Sequence, residues 1–338
     1  MKFSDRGFPF TRIRLRVLAY QLALENKRTG FSPVKKMAGR YWLKGFLQWH
    51  PQLRIKNSKN LSVHRAQCAN PGQIDKFFNQ FTELLDKFNI TYKPNNIWNI
   101  DESGLNDVPD EEEVIGIVGK PQMSQVAGEK GVNTTLMTFV SAGGMSTPPM
   151  VIFKAAKVLA EWREAAPSGY LVRRSEKGYV NGKLFLEYGE RFVQFLKEKR
   201  LHQPKEKHLL LLDSHKSHLF NLSFMQCMIR NDIEVMCLPP HCTHLLQPLD
   251  DVPFASLKTK WQAALVAFNL KTGARKMTKV DFFRNLIPAY IESISFATIQ
   301  AGFRNCGIYP VNCNAPKLAL TGPSKVTACK FVPVLRLG

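Results

Sequence analysis

The chain has 338 residues, with 47 Lys and Arg against 27 Asp and Glu, a formal net charge of +20. With 44% hydrophobic residues it can bury a real core, which excludes a disordered tail. Its length suggests about two domains, and the charge surplus calls for a polyanionic partner, nucleic acid first and an anionic membrane surface second.

That charge is uneven. Residues 1–66 hold fifteen basic side chains and only Asp5 and Glu25 as acids, a net of +13, which leaves +7 for the rest of the chain. Residues 1–16 have no apolar core or cleavage pattern, so no secretory signal is expected. The most apolar longer window, 136–153, is interrupted by Gly143, Gly144, Pro148 and Pro149, so no membrane-spanning helix is expected. Seven scattered cysteines with no CxxC pair fit reduced thiols in the cytosol or nucleus. The expectation is a soluble, intracellular protein with no membrane partner.

In chain order, the spacing predicts a first helix over 12–26, with Ile13, Val17, Tyr20, Gln21 and Leu24 in phase and Arg12, Arg14 and Arg16 near its start. Phe31-Ser32-Pro33 reads as a helix entry, and Lys35 and Lys36 follow it. A second helix over 38–50 has the sharpest amphipathic pattern of the chain. Trp42, Leu43, Phe46, Leu47 and Trp49 form its apolar stripe, opposite Arg40, Lys44 and Gln48 at i, i+4, i+8. After Pro51 comes a basic arm with Arg54, Lys56, Lys59 and Arg65. Short helices with a basic face and a trailing arm suit a helix-turn-helix, one helix in the major groove and the arm on phosphates. The same pattern also describes the solvated face of a small bundle; the +13 imbalance favours DNA.

These residues, GFPFTRIRLRVLAYQLALEN and FSPVKKMAGRYWLKGFLQWHPQLRIKNSKNLSVHRA, resemble the second helix-turn-helix of the centromere-protein-B-type DNA-binding domain of pogo/Tigger transposases and Jerky-like proteins. The resemblance covers about residues 6–68. Family members usually carry another helix-turn-helix upstream, which this chain is expected to lack, together with autonomous transposition.

Residues 69–75 read as a loop and 74–88 as an amphipathic connecting helix through Phe77, Phe78, Phe81, Leu84, Leu85 and Phe88. The acidic run 110–113 reads as a solvated loop. Strands are predicted at 96–100, running into Asp101, and at 134–140 and 150–153 as a hairpin. A helix over 184–197 follows, then a fully apolar strand at 208–212 ending at Asp213, a helix over 219–230, and a strand at 233–238. The segment PPHCTHLLQPLDDVPFASLKTKW then turns into a last helix. The order β-β-β-α-β-α-β-α, with short apolar fourth and fifth strands, fits a mixed sheet with buried centre strands.

Asp101 ends the first strand, Asp213 the fourth, and Asp250 lies past the fifth. Any one of these is equally a turn residue or helix cap. Together, carboxylates at neighbouring strand ends converge on a patch suited to hard divalent cations, and two such ions serve phosphoryl transfer.

NIDESGL at 99–105, LLLLDSHKSH at 209–218 and LPPHCTHLLQPLDDVPFASLK at 238–258 resemble the three blocks of the pogo/Tigger DDE superfamily endonuclease domain, over about 96–311 and ending in AGFRNCGIYP. The resemblance implies an RNase H-like fold preceded by an all-α module, an α/β protein with Asp101, Asp213 and Asp250 as catalytic and metal-holding acids. It also implies Mg²⁺ or Mn²⁺ in a two-metal site, and nicking and strand transfer on double-stranded DNA. Ser214-His215 stands where the family more often has Asn-His, and Asp251 stands where a small apolar residue is usual, so the third acid is Asp250 or Asp251, with Asp250 preferred. Cys237, His241, Cys242 and His244, with His215 and His218, also suggest zinc, but C-x₃-H-C-x-H matches no closed structural pattern, and no zinc is expected. Glu102, beside Asp101, is expected to be a loop acid.

The domains read as a helix-turn-helix over 1–70, a connector over 71–95, an RNase H-like DDE domain over 96–311 and a tail over 312–338. The leading expectation is a nuclear, DNA-binding, transposon-derived endonuclease, with a homodimer as a possible assembly. The alternatives are a domesticated nuclear DNA-binding or chromatin protein that does not cleave, and a structured-RNA nuclease on the same fold.

Overall fold

The computed structural model describes residues 11–28, 30–55, 71–110, 131–201, 206–213, 221–318 and 320. They fall into two compact units that divide between Pro71 and Gly72.

The first unit contains α1 (Arg12–Glu25) and α2 (Arg40–Trp49). The joint between them is a pair of hydrogen bonds: Arg16 Nε donates to the Ala38 carbonyl at 2.7 Å, and the Ala38 amide donates to the Arg16 carbonyl at 2.9 Å. Ala38 is the one fully buried residue among those described up to position 55. An aromatic run follows α2, with Phe31 edge-on to Trp42 at 6.0 Å, Trp42 stacked on Phe46 at 5.1 Å, and Phe46 against His50 at 4.5 Å. Trp49 departs from the predicted stripe. It is 77% exposed at the last position of α2, while the aromatic contacts pass from Phe46 to His50 instead.

The second unit opens with α3 (Pro71–Lys87), which buries Ile74, Phe77, Phe78, Phe81 and Leu85. It begins inside the segment 69–75 read as a loop, because Pro71 lacks only an N–H that a first helical residue leaves unused. Then come β1 (Ile97–Asn106), β2 (Asn133–Ser141), β3 (Met150–Lys154), α4 (Ala160–Ala165), β4 (Leu171–Ser175), α5 (Gly182–Glu198), β5 (His208–Leu212), α6 (Leu222–Arg230) and β6 (Ile233–Cys237).

The sheet order is β4-β3-β2-β1-β5-β6. β1, β2 and β3 form an antiparallel meander, while β5 joins β1, β6 joins β5 and β4 joins β3, each in parallel. This is the RNase H-like mixed sheet. It differs from the sequence reading in two ways. An additional helix and edge strand, α4 and β4, separate β3 from α5; in Leu171-Val172-Arg173-Arg174-Ser175 only Val172 is buried, so the apolar run that marks a strand is missing. Second, β1 does not stop at Asp101. β2 pairs with it from Trp98↔Ser141 to Asn106↔Asn133, so Asp101 sits mid-strand and Glu102 is a strand residue, not a loop acid.

On one face of the sheet, α5 supplies Phe192, stacked on Phe139 at 4.1 Å and edge-on to Trp98 at 4.9 Å. After β6 the chain makes two single-turn helices, α7 (Thr243–Leu246) and α8 (Pro248–Asp251), then α9 (Pro253–Thr272), α10 (Lys279–Ser293), α11 (Phe296–Asn305) and α12 (Asn314–Lys317), where one last helix was expected. Pro248 and Pro253 each open a new helix. α10 sets Phe282 and Phe283 against Phe153 of β3 at 5.3 and 5.7 Å, and Trp261 of α9 packs on Phe282 at 5.0 Å. The Trp261 indole donates to the Asn106 carbonyl at the far end of β1, at 2.6 Å. Among the described residues, no helix is long and apolar enough to cross a membrane.

Candidate active site

Side chains of a strand alternate between the two faces of the sheet. In β1, Trp98 and Ile100 enter the core under α5, as do Leu210 and Leu212 of β5. The intervening Asn99 and Asp101, and Asp213 just past β5, therefore share the opposite face. β1 and β5 run in parallel with Asn99 beside Leu211, so two residues further on each strand Asp101 and Asp213 are level. α8 carries Asp250 to the same place.

Asn99 holds these three segments together. It is fully buried; its Nδ2 donates to the Leu211 carbonyl on β5 at 3.1 Å, and its Oδ1 accepts from the Leu249 amide on α8 at 3.2 Å. Each bonded partner lies one or two residues from an aspartate. Gln247 adds a second tie, its Nε2 donating to the Ile100 carbonyl at 3.1 Å. From behind, Gly302 of α11 lets that helix close on α8, since a Cβ there would stand 2.4 Å from the Pro248 carbonyl oxygen.

The electrostatics report the convergence directly. The Asp101 carboxyl is raised well above the ordinary carboxylate range, first by burial, then by repulsion from Asp250, and more weakly by repulsion from Asp213. The Glu102 amide and the Gln247 side chain oppose the rise by hydrogen-bonding the carboxylate. Asp250 and Asp213, from two other elements, thus lie within Coulombic range of Asp101. They are not drawn into a ligating knot: among the described residues, no group of three or more His, Cys, Asp or Glu is close enough to hold a metal ion.

Asp250 and Asp251 are both exposed but differently engaged. Asp251 Oδ2 accepts from Asn305 Nδ2 of α11 at 2.8 Å, whereas Asp250 is the one that Asp101 senses. Burial first, then the charge of Asp213, pushes the Cys237 thiol up to about 11, so at neutral pH it is protonated and a poor metal ligand. His215 and His218 lie outside the described residues.

Of the residues assigned to DNA, the basic Arg12, Lys35, Lys36, Arg40, Lys44 and Arg54 and the neutral Gln48 are exposed in the first unit. Arg16 is half-buried and joins α1 to Ala38. Arg14 lies on α1; its side chain, Lys56 and Arg65 are outside the described set. Asn99, Gln247 and Gly302 are absent from the sequence reading. An amide inside the apolar run Asn96–Ile100 was a usable signal for Asn99, since a buried polar side chain needs partners.

The fold and site are thus an RNase H-like sheet whose β1 carries Asp101 under the repulsion of Asp250 and, more weakly, of Asp213. Residues 130–303, about half of the chain, match the model of the DDE superfamily endonuclease family, and the chain belongs to that family. Among curated proteins it is similar to the MFS-type transporter clz9 of Cochliobolus lunatus, 28% identical over 194 residues, 57% of this chain and 20% of that protein. It is also similar to the Chaetoglobosin A biosynthesis cluster protein C of Chaetomium globosum, 30% identical over 67 residues, 20% of this chain and 16% of that one. The chain thus spans about a fifth or less of these relatives' length. Among solved structures it is similar to the Mos1 transposase paired-end complex with left transposon end (TM-score 0.45, 13% identity) and to the Mos1 mariner paired end complex with Mn (TM-score 0.46, 14% identity). In both cases 90% of this chain and 80% of the other are covered.

Proposed function

We propose that the protein is a pogo/Tigger-type, transposon-derived endonuclease of the nucleus, binding duplex DNA through its basic N-terminal unit and cleaving it at Asp101, Asp213 and Asp250. The observation that carries this reading is the convergence of Asp250 and Asp213 on Asp101, held by the Asn99 bonds to β5 and α8 and felt as repulsion at the Asp101 carboxyl. Carboxylates from separate elements, held together against their charge by Asn99 and Gln247, are costly to maintain without a counter-charge.

The donor set suits a hard cation. Three carboxylates offer oxygen ligands of the kind Mg²⁺ and Mn²⁺ prefer. Beside them the buried Gln247 Oε1 has no hydrogen-bond partner among the described residues. When bound, a pair of such ions supplies the water activation and leaving-oxygen stabilisation that phosphodiester cleavage needs. The chain's own part is orientation. Asn99 sets the spacing of Asp213 and Asp250 from β1, while Gln247 and the Glu102 amide fix the Asp101 carboxylate.

The test is nicking of supercoiled plasmid with Mn²⁺, comparing wild type with Asp213→Asn. The wild type is expected to nick and the variant to be slower by about 10³-fold or more, as when one member of a catalytic set is removed. No nicking by either protein at any Mn²⁺ concentration would sink the reading.

A further inference from the structure

We propose that the groove at the β4 edge of the sheet holds the sugar–phosphate backbone of duplex DNA, as a contact separate from the carboxylates and from the N-terminal unit. The groove has a volume of about 1020 Å³ and is lined by the segment after β3, by β4 and its following turn, and by the start of α5. Lys157, Arg163, Arg174, Lys177 and Lys183 line it, all exposed, and none forms a salt bridge with another described residue. Of the three acids in the lining, Glu187 is already paired with Arg173. Five uncommitted cations therefore face only Glu176 and Glu190. The amino end of α5, a 17-residue helix capped by Asn181, opens into the same groove and adds its dipole to the field.

The arrangement suits a polymer of charge better than a single anion. The cations come from separate segments, the chain after β3, the end of β4 with its turn, and the start of α5, rather than from one loop. Duplex DNA presents a phosphate about every 3.4 Å along each strand.

The trough lies at the same end of the sheet as the end of β1, bordered by α5, which packs on the face opposite the carboxylates. β1, β3 and β4 run in one direction, so the ends of β3 and β4 that border the groove point the same way as the end of β1. Asp101 pairs with Thr138, level with the start of β3, whereas the groove is lined from Ala156, just past β3, and from Arg173 to Ser175 at the end of β4. The offset is three strands across and about five residues along, about 20 Å in a flat sheet, or about six base pairs of duplex. A duplex cut at the carboxylates would reach the groove by following the strand ends from β1 to β4 toward the α5 side of the sheet. This span rests on DNA being the substrate of the carboxylate site; the binding test does not.

The experiment uses the full chain and a labelled 30-base-pair duplex, titrated by fluorescence anisotropy from 50 to 200 mM salt without divalent metal. Lys157→Glu/Arg174→Glu/Lys177→Glu is expected to weaken binding about tenfold or more at 100 mM salt. It should also lower the log–log salt slope by about 2 to 3, the loss of about three phosphate contacts. Lys157→Gln/Arg174→Gln/Lys177→Gln should shift both in the same direction by less, with an unchanged thermal melt confirming the fold. Unchanged affinity and slope in a folded charge-reversal variant overturn the proposal. So does a loss confined to binding of poly-glutamate, which would assign the groove to an acidic protein. Cleavage is read separately: a wild type that never nicks, but whose groove variant loses DNA, keeps this contact and refutes the endonuclease reading alone.

Discussion

Asn99 is the residue on which the site's geometry turns, although it carries no charge. Its amide bonds both the β5 backbone next to Asp213 and the α8 backbone next to Asp250. Asn99→Ala leaves a buried carbonyl and a buried amide without the Asn99 partner, a loss of about 2 to 6 kcal/mol at 1 to 3 for each unsatisfied group. Urea unfolding should report that loss. Nicking should fall as well, although Asn99 lies behind the aspartates. Asp281 makes the second argument at this scale. Hydrogen bonds from Arg275 foremost, and from the Thr278 hydroxyl and amide, hold its carboxyl well below the ordinary range against the opposing effect of burial, and with Thr278 it closes a capping box at the start of α10. A carboxyl whose folded pKa is depressed contributes stability above its unfolded pKa, about 3.9, and loses it as pH falls toward the folded value. Asp281→Asn should therefore destabilise by about 1 kcal/mol at pH 7. The gap to wild type should narrow as the pH drops from about 4 toward 2 in thermal melts.

At the scale of elements, the site depends on α8 being pressed onto the sheet from behind. Gly302 is the contact point, and Gly302→Ala would put a methyl 2.4 Å from a backbone oxygen that no side-chain rotation can relieve. The expected result is a loss of about 1 to 3 kcal/mol, the usual range for overpacking, with a disproportionate fall in nicking because the displaced backbone carries Asp250. A Gly302→Ala protein with wild-type melting and wild-type nicking would mean that α11 does not position α8.

The same elements show what a sequence can disclose. β5 is legible to its last residue because four leucines in a row after His208, buried on both faces, have no other stable use. The aspartates after β5 and within QPLD stand out because they interrupt such runs. β4 is invisible, since an edge strand with Arg173 and Arg174 looks like a loop until β3 pairs with it. The full length of β1 is hidden as well. Ser103 and Gly104 break the apolar pattern, and only pairing with β2 carries the strand past Asp101. The repulsion that Asp101 feels from Asp250 and Asp213 belongs to tertiary structure alone, since the three come from positions 101, 213 and 250.

For the molecule as a whole, the +20 charge resolves into two parts with different duties. The basic first unit exposes Arg40, Lys44 and Gln48 along one side of α2. Removal of residues 1–66 should take away most of the DNA affinity and flatten its salt dependence, because each lost phosphate contact lowers the slope by about 0.9. An unchanged slope in the truncated protein would move the principal DNA contact to the second unit. The second unit is nearly balanced overall, and its decisive charges are negative. The most direct test is single-turnover plasmid nicking in Mn²⁺ by wild type, Asp101→Asn, Asp213→Asn, Asp250→Asn and Asp251→Asn. The account predicts that the first three variants lose about 10³-fold or more, while Asp251→Asn, whose carboxylate is turned to Asn305, stays within about tenfold of wild type. Wild-type rates in all four variants, or loss in Asp251→Asn with Asp250→Asn intact, would contradict it.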